Sequence, residues 1–440
     1  MKTEWESRKV SDLCDLIVDC VNKTAPVSEL PTPYKMIRTS HIKNGFIKLT
    51  DEKCVDQETF EKWTRRAKLQ RGDVLLTREA PLGSVAMIRD EENHFLGQRI
   101  MQYRTNEQSM VSEFLLYSFL SPMLQYQFAS YGGTGSTVDH IRVPDCSNFE
   151  VPVPPLADQK AIAHILGTLD DKIELNQKMN QTLEEIAKAI FKSWFVDFDP
   201  VRAKAEGRPT GLPPEISDLF CDELVDSEIG EIPKGWSQVE VVDLCDYVSS
   251  GGTPARKTQE YWNDGDIDWF KTGELLDRPL LDASEKITNL GVEKSAAKLW
   301  QRHTILFAIY ASPTVGRLGY LTSPGTCNQA AAGLVAKQEI GMPFLFWTLF
   351  NARKELQNIA VGAAQQNINV GILKAHKCLE PTHDLTRIFS EFGLILERRR
   401  ELIEKENRVL SELRDTLLPK LISGELRIPD AEKFLEEAGI

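Results

Sequence analysis

The residues best suited to chemistry are gathered in a few polar stretches. Tyr131-Gly132-Gly133-Thr134-Gly135-Ser136-Thr137 offers backbone N–H groups and small hydroxyls, which suit contact with phosphate. A second stretch, in the other half of the chain, carries Gly362, Gln365, Gln366, Asn367 and Asn369. Side-chain amides of this kind can read adenine edges through paired hydrogen bonds. The same compositions also suit ordinary solvated loops. Thr77-Arg78-Glu79 follows an apolar run directly, where Arg could reach guanine or phosphate. Its counterpart lies around Tyr310-Ala311-Ser312 and is polar-aromatic instead.

Enzyme signatures are missing from the sequence. There is no G-x-x-x-x-G-K-[ST] loop and no G-x-G-x-x-G after a strand. Asp199-Pro200 lacks the second proline and aromatic residue of an adenine-methyltransferase tetrapeptide, and no acid/base pair or nucleophile triad stands out.

Long helices must position these loops. Leu166, Leu169, Ile173, Asn176, Asn180, Leu183, Ala187, Ile190 and Trp194 alternate in steps of three and four. That is a narrow apolar seam on a helix, which needs a partner helix. Asp158 is placed to cap its start, and Pro200 to end it. Phe392, Leu396, Ile403, Asn407, Leu410, Leu413, Leu417 and Leu421 form a second seam. Setting Leu183 on Leu410 brings the two into register, with Asn180 on Asn407, Ile190 on Leu417 and Trp194 on Leu421. Two antiparallel helices related by a pseudo-twofold axis would bring Asn180 and Asn407 together, with a hydrogen bond across the axis that fixes register. Trp194, Phe195 and Phe198, at the end of the first helix, are expected to be buried anchors.

The globular parts repeat as well. Asp12-Leu13-Cys14-Asp15 recurs as Asp243-Leu244-Cys245-Asp246. Arg71 to Leu75 matches Arg302 to Leu306, and Gln98 matches Gln329, at the same offset. The chain therefore reads as two copies of a globular unit followed by a helix. Val10 to Val18 and Tyr34 to Ile42 read as strand or short helix, Asp73 to Thr77 as a strand, and Ser84 to Ile88 as its hairpin partner. Glu113 to Phe128 has helical spacing, and a short amphipathic helix is expected over Asp430 to Ala438. The fold class is α+β: two similar globular domains and two long antiparallel helices. Expected divisions are 1–155, a helical region 156–199, a linker 200–235, a second globular domain 236–381, a second helical region 382–424 and a tail 425–440. The linker is read from its alternating prolines and glycines as lying over other surfaces without forming an element.

Composition narrows the classes. Eight cysteines without a CxxC pair fit a reducing cytosol and argue against a zinc site. No apolar run is long enough to span a membrane and no signal peptide is expected, so the expected location is cytoplasmic. The net charge is −13, but residues 1–155 carry 19 basic and 21 acidic groups, so the first globular unit is close to neutral. Such a domain is not expected to bind DNA tightly through phosphates alone.

Several longer stretches are far more specific than any loop. They are FKSWFVDFDPVRAKAEG at Phe191 to Gly207, EIGEIPKGW ending at Trp236, and GGTPARKTQEYWNDGDIDWFKTGEL at Gly251 to Leu275. PLADQKAIAHIL from Pro155 and LLPKLISGEL from Leu417 join them. With these, the chain resembles the specificity subunits of type I restriction-modification systems over essentially its whole length. The resemblance implies two target-recognition domains, each reading one half of a split sequence in double-stranded DNA. It implies paired helices that hold them apart, two modification (methyltransferase) subunits, and restriction (translocase/endonuclease) subunits. S-adenosylmethionine, ATP and Mg would sit on those partners, and this chain would hold no cofactor, metal or catalytic residue. Candidate DNA contacts in the first domain are Arg38, Thr39, Ser40, Arg78, Glu79, Gln98, Arg99, Gly133, Thr134, Ser136 and Thr137. In the second they are Lys271, Thr272, Tyr310, Ser312, Gln329, Gln365, Gln366, Asn367 and Asn369. Candidate helix-pairing residues are Leu169, Ile173, Asn180, Leu183, Ile190, Leu396, Ile403, Asn407, Leu410 and Leu417. The first unit lacks the GTP…YW…W stretch of the second, and the second has His303-Thr304 for Gly72-Asp73. The residues alone also allow a coiled-coil adaptor whose repeated units bind protein.

Overall fold

The computed structural model describes residues 5–49, 51, 53–132, 139–227, 229–310, 313–362 and 368–437. The chain forms two compact units: one of residues 1–174 with 408–440, the other of residues 175–407. Two helices of 40 residues each, Leu156–Phe195 and His383–Ile422, contribute to both.

In the first unit a four-stranded antiparallel sheet runs in the order Cys14–Asp19, Ile100–Thr105, Val74–Thr77, Val85–Met87. The strands Val74–Thr77 and Val85–Met87 are buried along their whole length because both faces are covered. Val74, Leu76, Met101 and Tyr103 pack towards the helices Ser112–Leu120 and Pro122–Gly132 and the long helix. Leu75, Ala86 and Ile100 pack with Ile37, Ile42 and Leu96 on the other side. A smaller sheet sets Tyr34–Ile37 between Cys54–Val55, antiparallel, and His94–Leu96, parallel. Glu6–Lys9 pairs with Glu150–Val153 and closes the domain next to the start of the long helix.

The second unit repeats this plan. Its sheet order is Cys245–Ser250, Ala331–Ala336, Ile305–Ala308, Leu318–Leu321, Arg278–Leu280. The fifth strand runs parallel to the fourth; in the first unit a parallel bridge from Gly45 to Ala86 stands there among the described residues. Ile267–Phe270 again lies between an antiparallel strand, Lys286–Ile287, and a parallel one, Thr326–Cys327. Ser237–Glu240 pairs with Lys377–Glu380. The turn before the central strand needs a left-handed backbone in both copies. Gly72 supplies it at φ 91° and His303 at φ 69°.

The helical seams are buried largely as their spacing predicts. In the first unit Leu169, Ile173, Leu410 and Leu417 lie in one core, and Arg414 Nη1 donates to Asp170 Oδ1 at 2.7 Å. In the second, Ile403 is buried, Leu396 is buried in the main core, and Leu183 and Ile190 pack partly buried against it. There Asn176 Nδ2 donates to Glu406 Oε2 at 3.0 Å, and Arg400 Nη2 to Glu184 Oε2 at 2.9 Å, so the helices run antiparallel. Asn180 and Asn407 are both buried, but the expected bond between them does not form. Asn180 Nδ2 donates to Glu404 Oε1 at 2.9 Å, and Asn180 Oδ1 accepts nothing among the described residues. The register sets Asn180 level with Glu404, three residues from Asn407, an axial stagger of about 4.5 Å at ~1.5 Å per residue.

Other expectations are corrected. The first long helix already starts at Leu156, so Asp158 lies in its first turn and favours its positive end without capping it. Pro200 begins a helix, Asp199–Ala205, where a missing N–H costs nothing. The expected linker contains that helix, a turn of helix at Pro214–Ser217 and a hairpin of Leu224–Ser227 with Gly230–Pro233. Its Val201 and Phe220 are buried in the main core of the second unit. The helical run over Glu113 to Phe128 is broken because Ser121, preceding Pro122, is extended at ψ 148°; the second copy is one helix, Met342–Gly362. Phe392 faces outward at 37 % exposure, and Leu385 and Phe389 take the buried face instead.

Trp194, Phe195 and Phe198 are buried anchors. Trp194 sits 5.4 Å from Phe220 and 6.3 Å from Phe389, centroid to centroid, and Phe198 meets Trp236 edge-on at 5.6 Å.

Candidate nucleic-acid interface

The described candidate residues of each domain meet at one end of its central strand. In the first domain the strand Val74–Thr77 runs out into Arg78, whose N–H donates to Arg99 O at 2.8 Å. Arg78 O accepts from Ile141 N at 3.0 Å, and His140 N donates to Gly132 O at 3.3 Å. These bonds hold Gly132, His140 and Ile141 together at the end of the strand. Gly97 N donates to Ile37 O at 2.7 Å, which brings Arg38 beside Gln98. Thr39 Oγ1 donates to Ala80 O at 2.8 Å, so Arg38-Thr39-Ser40, Arg78-Glu79 and Gln98-Arg99 form one cluster.

The second domain repeats those backbone bonds. Ile309 N donates to Ala330 O at 2.8 Å, Ile368 N to Ile309 O at 2.9 Å, and Asn328 N to Phe270 O at 3.0 Å. Lys271, Gln329 and Tyr310 thus occupy the places of Arg38, Gln98 and Glu79. The counterpart of Arg78 is Ile309, fully buried, and not the polar residues after it. Thr272 is also buried, in the turn that follows Lys271. Asn369 has a structural job: its Oδ1 accepts from Ile372 N at 2.8 Å and caps the helix Val370–Lys374. Gly133, Thr134, Ser136, Thr137, Ser312, Gln365, Gln366 and Asn367 lie outside the described residues.

Arg78 donates Nη1 to Ile141 O at 3.1 Å, whereas Arg38, Arg99, Lys271 and Arg256 each have an acidic partner. Arg99 pairs with Glu79 at 2.5 Å. Arg38 pairs with Asp51, which also receives the His41 ring at 2.9 Å. Arg38 N in turn donates to His41 Nδ1 at 3.3 Å, which leaves His41 Nε2–H to face Asp51. The hydrogen bonds from His41 and then Arg38 hold the Asp51 carboxyl below its ordinary range. In the second domain Lys271 Nζ donates to Glu285 Oε1 at 2.8 Å, and Arg256 pairs with the other oxygen. Those bonds, Arg256 first, hold Glu285 down to about 2. The Arg256 guanidinium lies 3.8 Å from the ring centre of Trp262 and 4.7 Å from that of Trp269. The candidates named from sequence omit His41, Asp51, Arg256, Trp262, Trp269 and Glu285. The interleaved basic and aromatic residues of Gly251 to Leu275 are the signal that could have found most of the second set.

Each unit also carries a lock between domain and helix. Tyr117 OH donates to Asp170 Oδ2 at 2.9 Å in the first unit, and Tyr320 OH to Glu397 Oε2 at 2.7 Å in the second. Asp170 and Glu397 are both buried, and they coincide when Asn180 is set on Asn407, so they are equivalent seam-side positions. Beside these locks lie cavities of about 780 Å³, lined by Gly72, Arg89, Tyr117 and His164, and about 500 Å³, lined by His303, Tyr320 and Glu401. Among the described residues no group of three or more His, Cys, Asp or Glu is placed to hold a metal, and no helix is long and apolar enough to cross a membrane.

This duplicated α+β plan is that of a known family. The model of the type I restriction modification DNA specificity domain matches residues 2–185 and 233–378, and the chain belongs to that family. It is 26% identical over 404 residues to the HindI specificity subunit of Haemophilus influenzae, covering 81% of this chain and 87% of that one. It is 26% identical over 362 residues to the MjaIX specificity subunit of Methanocaldococcus jannaschii, covering 82% and 79%. Its fold is similar to the crystal structure of a type I restriction-modification S subunit from M. genitalium, with a TM-score of 0.59 at 16% identity over 95% of this chain and 96% of that one.

Proposed function

We propose that this chain is the DNA-specificity subunit of a type I restriction-modification complex. Each globular domain reads one half of a bipartite duplex target at the end of its central strand. The paired helices set the gap between the halves and dock two modification subunits. Adenine methylation, with its S-adenosylmethionine, belongs to those subunits; ATP-driven translocation and cleavage belong to restriction subunits. The chain itself is non-catalytic and acts in the cytoplasm.

The observation that carries this reading is the repeated convergence of strand end, Gln turn and loop base, with different side chains on a shared frame. Arg38, Arg78 and Arg99 stand in one copy, and Lys271, Ile309 and Ala330 in the other. A common backbone with altered polar groups suits two readers of different sequences. The test is methylome mapping of cells expressing the chain with its modification subunits, before and after residues 1–155 are exchanged for another family member's first domain. A bipartite adenine-methylated site should be found, and the exchange should alter one half of it. A site without two halves, or an exchange that changes both, would refute the reading.

A further inference from the structure

Arg38 of the first candidate surface, and Lys271 with Arg256 of the second, are held by carboxylates from the same element of the fold. In the first domain the segment that returns to pair with Tyr34–Ile37 is fixed by Met36 N donating to Lys53 O at 2.9 Å, and Asp51 lies two residues before Lys53. In the second, Trp269 N donates to Glu285 O at 3.0 Å, so Glu285 stands at the Lys53 position. Sequence offers no shared acid there, yet the outcome is the same: the basic residue that ends the middle strand is clamped from its antiparallel neighbour.

The clamps are built on firm ground. His41 is fully buried and ties Asp51 to the backbone of Arg38. Glu274 accepts from Lys271 N and Ser284 N, both at 2.7 Å, and so fixes both sides of the second clamp. Trp269, buried under Arg256, donates its Nε1–H to Gly252 O at 2.9 Å. The basic groups themselves stay open: the side chains of Arg38, Lys271 and Arg256 are 33 %, 39 % and 50 % exposed.

We infer that Asp51 and Glu285 are positioning residues for sequence readout. Each orients the basic side chains of its own domain, Arg38 in the first and Lys271 with Arg256 in the second, towards one half-site. This rests on the function proposed above. A freely rotating Arg or Lys meets any phosphate, whereas one held by a carboxylate presents its donors in one direction and matches a base edge only there. The acid also cancels charge, which lowers attraction to unrelated DNA.

The two effects separate a positioning role from a structural one. The full chain, in complex with its modification subunits, is assayed on its own bipartite duplex, on an unrelated duplex and on randomised half-sites. Asp51→Asn should relax preference in the first half-site about tenfold and leave the second unchanged. Glu285→Gln should do the reverse. Both should bind the unrelated duplex more tightly, with a salt dependence steeper by about one ion. Asp51→Glu should restore part of the first preference. Unchanged half-site preferences, or loss of both halves with a lower melting temperature, would overturn the inference. A wild-type complex that selects no bipartite site would instead bring down the functional reading, and this one with it.

Discussion

Replacing the two lock tyrosines with phenylalanine should cost unequal amounts, and the inequality follows from the hydrogen bonds left behind. Tyr320 and Glu397 are both buried. Without the Tyr320 hydroxyl, Glu397 Oε2 still receives Arg400 Nη1 at 3.1 Å, and Oε1 receives it at 3.0 Å. Asp170 is poorer in partners: Arg414 serves Oδ1, and Oδ2 has only the Tyr117 hydroxyl among the described residues. A hydrogen bond to a charged group contributes about 1.5–3 kcal/mol, with the upper end expected where a buried oxygen is left unpartnered. Tyr320→Phe should therefore cost about 1.5 kcal/mol and Tyr117→Phe about 3 kcal/mol. Burial, reinforced by the nearby carboxylate, pushes both phenols well above their ordinary range, so they remain donors at any practical pH. A single unfolding midpoint would mix the two units. Native-state hydrogen exchange read peptide by peptide gives each one separately. Equal costs, a reversed order, or losses below about 0.5 kcal/mol in both would show that these hydroxyls do not lock domain to helix.

Four further outcomes are expected. Trp194→Ala should destabilise the second unit by about 3–5 kcal/mol in the same exchange measurement, because it opens a cavity among Phe195, Phe220 and Phe389. At the matched turns, Gly72→Ala should cost about 1–2 kcal/mol in the left-handed region. His303→Gly should remove a pH dependence: burial and then Arg302 lower the His303 pKa from 6.5, so its stability is complete above that pH and is lost as pH falls through the folded value, a slope that thermal melts of the variant should lack. Inserting one heptad into each long helix keeps the seams in phase and adds ~10 Å, so methylome mapping should find the half-sites about three base pairs further apart and otherwise unchanged.

What the sequence discloses and what it hides divide along physical lines. Apolar periodicity is a local property, so both long helices, the strand at Val74–Thr77 and its hairpin partner were legible from spacing alone. A duplication adds a second reading of each element, so Gln98 and Gln329 match by offset alone. Partners across elements were not legible. Asn180 meets Glu404 because of a three-residue axial stagger, which no seam pattern encodes. The proline-rich segment does not read as structured because its prolines open helices and its Gly230 turns a hairpin, while Val201 and Phe220 are buried through contacts with the rest of the second unit. Arg38 and Asp51, or Lys271 and Glu285, are brought together only by a strand pairing whose register depends on the rest of the domain.

The same pairs bear on how a chain of net charge −13 could serve on DNA. If Arg38, Arg99, Lys271 and Arg256 were unpaired, each surface would draw phosphates from any sequence. Paired with Asp51, Glu79 and Glu285, they contribute little long-range attraction, and a neutral surface gains affinity mainly where its hydrogen-bonding groups match base edges. On the proposed function, non-specific attraction is then left to the partner subunits, and this chain supplies the difference between right and wrong sequences. The isolated chain should accordingly bind its target weakly at fixed salt and gain affinity when the modification subunits are added. Equal affinity with and without them in electrophoretic shifts would mean that the paired charges do not limit binding.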